Sequence, residues 1–122
     1  MPERISVGAM EGYDLWLEIA PDFFASPDDD EGLTHTQLDA YAKDEWGYAT
    51  ATVSAEKYGI VFGQATYGML EYGVFPVTDE QDNLIESKLI SAHDIDGYVG
   101  TELAGEAISQ AEEVIKKIRE EN

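Results

Sequence analysis

Two β-rich runs joined by a short glycine-bearing turn constrain this chain more than anything else in it. Gly47–Ser54 is rich in Thr, Tyr and Val, and Ile60–Tyr67 in Val, Ile and aromatic residues. Branched and aromatic side chains favour a pleated, half-buried strand. Ala55-Glu56-Lys57-Tyr58-Gly59 connects the runs, and Gly59 suits a turn position that needs positive φ. The segment reads as an antiparallel hairpin. Upstream, Tyr13, Leu15, Leu17 and Ile19 alternate with Asp14, Trp16 and Glu18, the period-two pattern of a strand with one buried face. Ile5 and Val7 precede it across Glu11-Gly12, which predicts an opening hairpin. Pro21, unable to donate to a ladder, ends that strand. A further strand is expected around Leu70–Phe75, closing at Pro76, and a short edge strand over Leu84–Ile90.

Two helices complete the pattern. Thr34-His35-Thr36-Gln37 has the form of a capping box, in which the Thr hydroxyl and the Gln side chain satisfy each other's backbone amides. It predicts a short helix running to about Glu45, with Leu38, Tyr41 and Ala42 on its buried face and Trp46 directly after it. Ser91-Ala92-His93-Asp94 is a second capping signature, opening a long C-terminal helix. Leu103, Ala107, Ala111, Val114 and Ile118 share one face of it, flanked by Ile108 and Ile115. Glu102, Glu106, Glu113 and Glu120 fall within about 40° of one another on the opposite face. Gly97, Gly100 and Gly105 weaken its first half, at about 1 kcal/mol each against alanine, unless they serve close packing on the sheet. The expected class is α+β. It comprises an antiparallel sheet of about 4–5 strands, with a short central helix and a long C-terminal helix packed on one face. Residues 1–122 are expected to form a single domain.

Charge bounds the function classes. The chain carries 26 Asp and Glu against 7 Lys and Arg, a formal net charge of −19. Residues 1–45 hold 12 acids and 2 bases, and residues 46–122 hold 14 and 5, so the excess is not confined to a tail. Between Tyr58 and Ile115 the only base is Lys88. Direct binding to nucleic acid or to an anionic membrane is not expected, because those surfaces demand a basic footprint. A basic protein partner is. A compact chain of this length is about 35 Å across. That span of duplex DNA carries about 20 charges, comparable with the net charge here. Glu112 with Lys116 and Glu113 with Lys117 have favourable helix spacing, whereas Glu102 and Glu106 lack such partners. Hydrophobic residues make up 43% of the chain, so it is not a solvating acidic tail. Cysteine is absent, no signal peptide or membrane span is evident, and a cytoplasmic location is expected.

Chemistry-bearing motifs are sparse. Asp28-Asp29-Asp30-Glu31-Gly32 and Asp94-Ile95-Asp96-Gly97 resemble fragments of a calcium loop, whose glycine occupies position 6. Setting Gly32 there puts Pro27 at position 1 and Leu38 at position 12. Setting Gly97 there puts Ala92 and Leu103 at those positions. Each fails twice, so no dedicated metal site is expected. His35 and His93 lie in predicted helix caps, and no Gly-x-Ser-x-Gly elbow is present. The Gly59–Gly63 pair carries no Gly-Lys-[Ser/Thr] ending for a phosphate cradle. No catalytic residue and no cofactor are expected. Trp16 stands on the Asp14/Glu18 side of its strand, where an exposed tryptophan would serve as an interface anchor.

The segment Trp46-Gly47-Tyr48-Ala49-Thr50-Ala51-Thr52-Val53-Ser54-Ala55, followed by Gly59-Ile60-Val61-Phe62-Gly63-Gln64-Ala65-Thr66 and Glu71, resembles small acidic proteins of actinobacterial phages and prophages, most without assigned function. The resemblance covers roughly residues 37–119. Gly68 and Met69 stand where that group has tryptophan and glycine, and residues 72–91 are longer than usual. It implies a phage or mobile-element origin and supplies no catalytic residues. Together with the charge, it leads to the expectation of a non-enzymatic inhibitor acting in the host bacterial cytosol. The target would be a nuclease or CRISPR effector of a restriction or CRISPR defence system, met by a DNA-mimicking carboxylate surface. Glu102, Glu106, Asp79, Glu80, Asp82, Asp28, Asp29, Asp30, Glu31 and Trp16 are the candidate contact residues. The alternative is a structural or regulatory interaction protein, a homodimer among the options, whose acidity serves solubility alone.

Overall fold

The computed structural model describes residues 3–27 and 32–120, and shows an α+β protein built on a five-stranded antiparallel sheet. The strands are β1 (Glu3–Met10), β2 (Tyr13–Pro21), β3 (Trp46–Lys57), β4 (Ile60–Thr78) and β5 (Leu84–Ile90), and their spatial order follows the chain. Helix α1 (His35–Ala42) lies between β2 and β3 in sequence. The C-terminal helix is α2 (Ala92–Ile95), a π turn over Asp96–Gly100, and α3 (Thr101–Glu120). No helix among the described residues is long and apolar enough to cross a membrane.

Both predicted hairpins form, with tighter turns than expected at the second. Glu11 and Gly12 take φ of 54° and 87°, and Tyr58 and Gly59 take 56° and 76°. Positive φ at both central residues matches the strand twist, the reason two-residue loops of this kind dominate hairpins. Strand β3 therefore extends to Lys57, and only Tyr58-Gly59 turns. In the first hairpin Met10 faces Tyr13 and Glu3 faces Ile19, with a bulge between Ser6 and Gly8. Strand β4 corrects the sequence reading, which expected two strands and a stop at Pro76. It runs unbroken for 19 residues, passing through Met69 at φ 56° and Gly73 at φ 112°. Proline is tolerated at position 76 for a local reason. Val74 donates to the Glu45 carbonyl at 2.8 Å, and Glu45 is the residue before β3 begins. Two residues further along β4, on that same side, the sheet offers no acceptor for an amide to miss.

Residue contacts divide the chain into two compact units. The first contains residues 3–20, 51–67 and 92–120 of the described chain. Its core is Tyr13, Leu15, Leu17 and Ile19 of β2, Ala51, Val53 and Ala55 of β3, Ala65 of β4, and Ile95, Val99, Leu103, Ala104, Ala107, Ile108 and Ala111 of the helix. The alternation seen in β2 is thus a true buried face. Alanine dominates the rest, which brings helix and sheet backbones close. At Gly63 of β4 the approach is closest, and a Cβ there would meet the Ala107 carbonyl and lie 2.7 Å from the Ala111 amide nitrogen. Close packing is supplied by the strand glycine, not by the helix glycines. Gly97 and Gly105 have open space where a Cβ would be, and Gly100 makes room for the Asp96 carboxylate within the π turn. The buried helix face also ends sooner than expected. Val114 and Ile118 are exposed, because by Ile115 the helix has reached the level of Tyr13 and Lys57, where β2 begins and β3 ends.

The second unit contains residues 21–27, 32–50 and 68–91 of the described chain. The capping box of α1 is complete, since the Thr34 hydroxyl accepts from the Gln37 amide and Gln37 Oε1 accepts from the Thr34 amide at 2.9 Å. Such a cap contributes about 1 kcal/mol. The helix stops at Ala42, three residues before the expected end, and Lys43 caps it. Its inward face is Gln37, Ala40 and Tyr41; Leu38 and Ala42, expected inside, are exposed. Trp46 sets this rotation. Its indole N–H donates to the Gln37 carbonyl at 2.9 Å, and its ring meets Tyr41, Tyr48 and Phe75 edge-on at 5.2, 5.2 and 4.8 Å between centroids. Edge-to-face geometry sets the positive ring edge against a negative face.

Two substitutions of the same kind should act with opposite sign. Gly63→Ala forces a methyl group into the α3 backbone and is expected to destabilise by about 1–3 kcal/mol. Gly105→Ala adds a methyl to open space in a helix interior and is expected to stabilise by about 0.5–1 kcal/mol. Urea unfolding midpoints of the two variants against the parent chain check both.

Candidate acidic interaction surface

In the first unit Glu102 and Glu106 stand four residues apart on α3, both exposed. Among the described residues neither takes part in an ion pair. Tyr98, four residues before Glu102 in the π turn, is 75% exposed and extends the same run. The bases of this unit lie elsewhere. Lys57, Lys116 and Arg119 line one open groove of about 420 Å³ together with Glu11, Glu112 and Glu120, so three of the chain's seven cations are balanced there. Lys57 Nζ also sits 4.6 Å above the centre of the Tyr13 ring. The helix ion pair observed is Lys116–Glu120 at 4.0 Å, in place of the Glu112–Lys116 spacing expected from sequence. Both partners are mostly exposed, so its contribution is at most a few tenths of a kcal/mol.

Trp16 is half-buried rather than open. The Arg4 guanidinium lies 4.1 Å from the ring centre, a cation–π arrangement, and also pairs with Glu56. The register explains the contact: Arg4 faces Glu18 and Ser6 faces Trp16, which makes Arg4 and Trp16 diagonal neighbours on one face of the hairpin. Arg4 therefore stabilises the sheet surface at the place where an anchor was expected.

In the second unit Asp79, Glu80 and Asp82 occupy the turn between β4 and β5. Two of them build it. One carboxylate oxygen of Asp79 accepts from the Gln81 and Asn83 amides, both at 2.9 Å. Asp82, at φ 63°, accepts from the Thr36 amide at 3.3 Å and ties the turn to the start of α1. The Asn83 amide bond, with help from Gln81 and against desolvation, holds the Asp79 carboxyl below its ordinary value. Desolvation pushes Asp82 up, but the bonds from Thr36 and Thr34 outweigh it and leave that carboxyl low as well. Glu80 is exposed. Asp28, Asp29, Asp30 and Glu31 lie outside the described residues.

Sequence reading passed over the loop after β2. Phe23 and Phe24 are 87% and 97% exposed, and Asp22 shapes the turn that presents them. Its carboxylate accepts from the Phe24 and Ala25 amides at 3.1 and 3.2 Å and from the Met69 amide at 2.9 Å. The Met69 bond is the main reason that its pKa is lowered. An aspartate followed by two aromatics just past a strand-ending proline was the available signal, since Asp side chains bond their own backbone two residues on.

Asp22, Asp79 and Asp82 share a consequence for pH. A carboxyl held below its ordinary value of 3.8 stabilises the fold fully above that value, and the contribution disappears as pH falls through the lowered one. Asp22→Asn and Asp79→Asn are therefore expected to lower stability at neutral pH and to flatten its decline below about pH 4. Urea midpoints measured from neutral to acid pH give the comparison.

A scan of protein-family models finds none that matches this chain, and searches of curated proteins and of solved structures find no match either.

Proposed function

We propose that the protein is a non-enzymatic binding protein whose carboxylates occupy a basic groove on a nucleic-acid-handling protein. A nuclease of a restriction system or a CRISPR effector is the partner class in mind, as would suit a product of a phage or mobile element. The observation that carries this reading is the start of α3, where Glu102 and Glu106 are exposed and without ion pairs among the described residues. Uncompensated carboxylates on a rigid helix store repulsion that a basic surface relieves. Tyr98, exposed four residues before Glu102, supplies aromatic area that charge alone lacks. The phage-protein resemblance and the net charge of −19 lend support. In the competing reading the same carboxylates only solubilise the chain.

Titration of the purified protein against a purified nuclease or CRISPR effector separates the two. Binding should weaken with salt and yield to competing duplex DNA. The double variant Glu102→Lys/Glu106→Lys should weaken it by about tenfold or more. Unchanged binding and inhibition by that variant would remove the electrostatic mechanism.

A further inference from the structure

Strand β5 ends the sheet, bonded to β4 on one side, and its sequence is Leu84-Ile85-Glu86-Ser87-Lys88-Leu89-Ile90. Read about Ser87, it is complementary to itself. Antiparallel pairing of two copies centred there sets Glu86 opposite Lys88 of the second copy, twice by symmetry. Ser87 falls opposite Ser87, and the apolar Leu84 and Ile85 at one end of the strand lie toward Leu89 and Ile90 at the other. Opposite charges and apolar pairs at facing positions are what stabilise a cross-strand pair.

We infer that β5 is a self-recognition edge, through which two copies of this chain pair antiparallel about Ser87. Three features of the strand agree. Leu84, Ile85 and Leu89 are 58%, 63% and 66% exposed, an apolar content unusual on a free edge. Free edges are ordinarily blunted by charge, proline or a bulge. Strand β5 has a bulge of its own at Ile85, the extra residue between Glu86, which faces Val77, and Leu84, which faces Thr78. Its central Glu86, Ser87 and Lys88 nevertheless face Val77, Pro76 and Phe75 in regular pairing, so the segment about Ser87 keeps its alternation. Finally, Lys88 is the only base between Tyr58 and Ile115, and it stands at the position where a second copy presents Glu86. A carboxylate-rich partner has one cation to meet on this strand; a second copy satisfies both of its charges. The inference is independent of the acidic surface on α3 and involves none of its residues.

The test is charge complementation on the full chain, followed by sedimentation velocity at moderate salt so that general repulsion is screened. The parent chain should dimerise. Glu86→Lys faces lysine with lysine at both pairs, and Lys88→Glu faces glutamate with glutamate. Each should weaken self-association about tenfold or more. Mixing the two single variants restores opposite charges at both pairs, so a heterodimer should form. The double exchange Glu86→Lys/Lys88→Glu should dimerise like the parent. Recovery in the mixture cannot come from misfolded variants. A parent chain that stays monomeric up to about 100 µM would overturn the inference. So would dimers indifferent to the single changes, or single variants that fail to associate when mixed.

Discussion

The first unit depends on how closely two backbones approach. At Gly63 the strand comes within reach of the α3 backbone at Ala107 and Ala111, and no side chain fits between them. The contact surfaces are correspondingly small, with Ala51, Ala55, Ala104, Ala107 and Ala111 all buried. Large residues come mainly from β2 and from the helix positions beside the alanines. Since α3 is seated by backbone proximity, its rotation about its own axis has little freedom. That rotation puts Leu103 and Ala107 inside and Glu102 and Glu106 in solvent. The acidic surface is thus a by-product of the packing as much as of the charge.

The second unit is organised by a hydrogen bond from a single indole and by hydrogen bonds to three aspartates. Trp46 bonds the α1 backbone and collects three aromatic rings around itself, which locates the helix against β3 and β4. Asp22, Asp79 and Asp82 hold turns through amide bonds. A carboxylate that accepts several backbone bonds is committed to the ionised state and to one position. It is less available to a partner than its charge suggests. Of the acidic positions singled out in the β4–β5 turn, Glu80 is the one without a structural duty visible among the described residues.

The net charge is also less uniform than composition implies. Lys57, Lys116 and Arg119 gather in one groove with three glutamates, and Arg4 is engaged by Glu56 and Trp16. Concentrating cations in this way leaves other stretches bare, and the start of α3 is the clearest of them. Lys43 pairs with Asp39 on α1, and Lys88 stands on an edge strand whose neighbouring positions mirror themselves about Ser87.

Periodicity and turn chemistry made most of the architecture legible in the sequence. The alternation from Tyr13 to Ile19, the glycines at positions 12 and 59 and the Thr34 capping box all act over a few residues, and each appears where expected. The exposure of Glu102 and Glu106 followed from helix geometry for the same reason. What the sequence could not settle depends on partners distant along the chain. Pro76 stays within β4 because its missing amide lies past the start of β3, where no described strand faces it. Trp16 is covered because Arg4 is its diagonal neighbour across a hairpin, and α1 turns inward at Ala40 because Trp46 binds the Gln37 carbonyl. Local sequence determined the elements and the sign of the surface. Tertiary structure decided which carboxylates are tied into turns and which stay open to solvent, because a hydrogen bond or a ring contact is awarded by position in space.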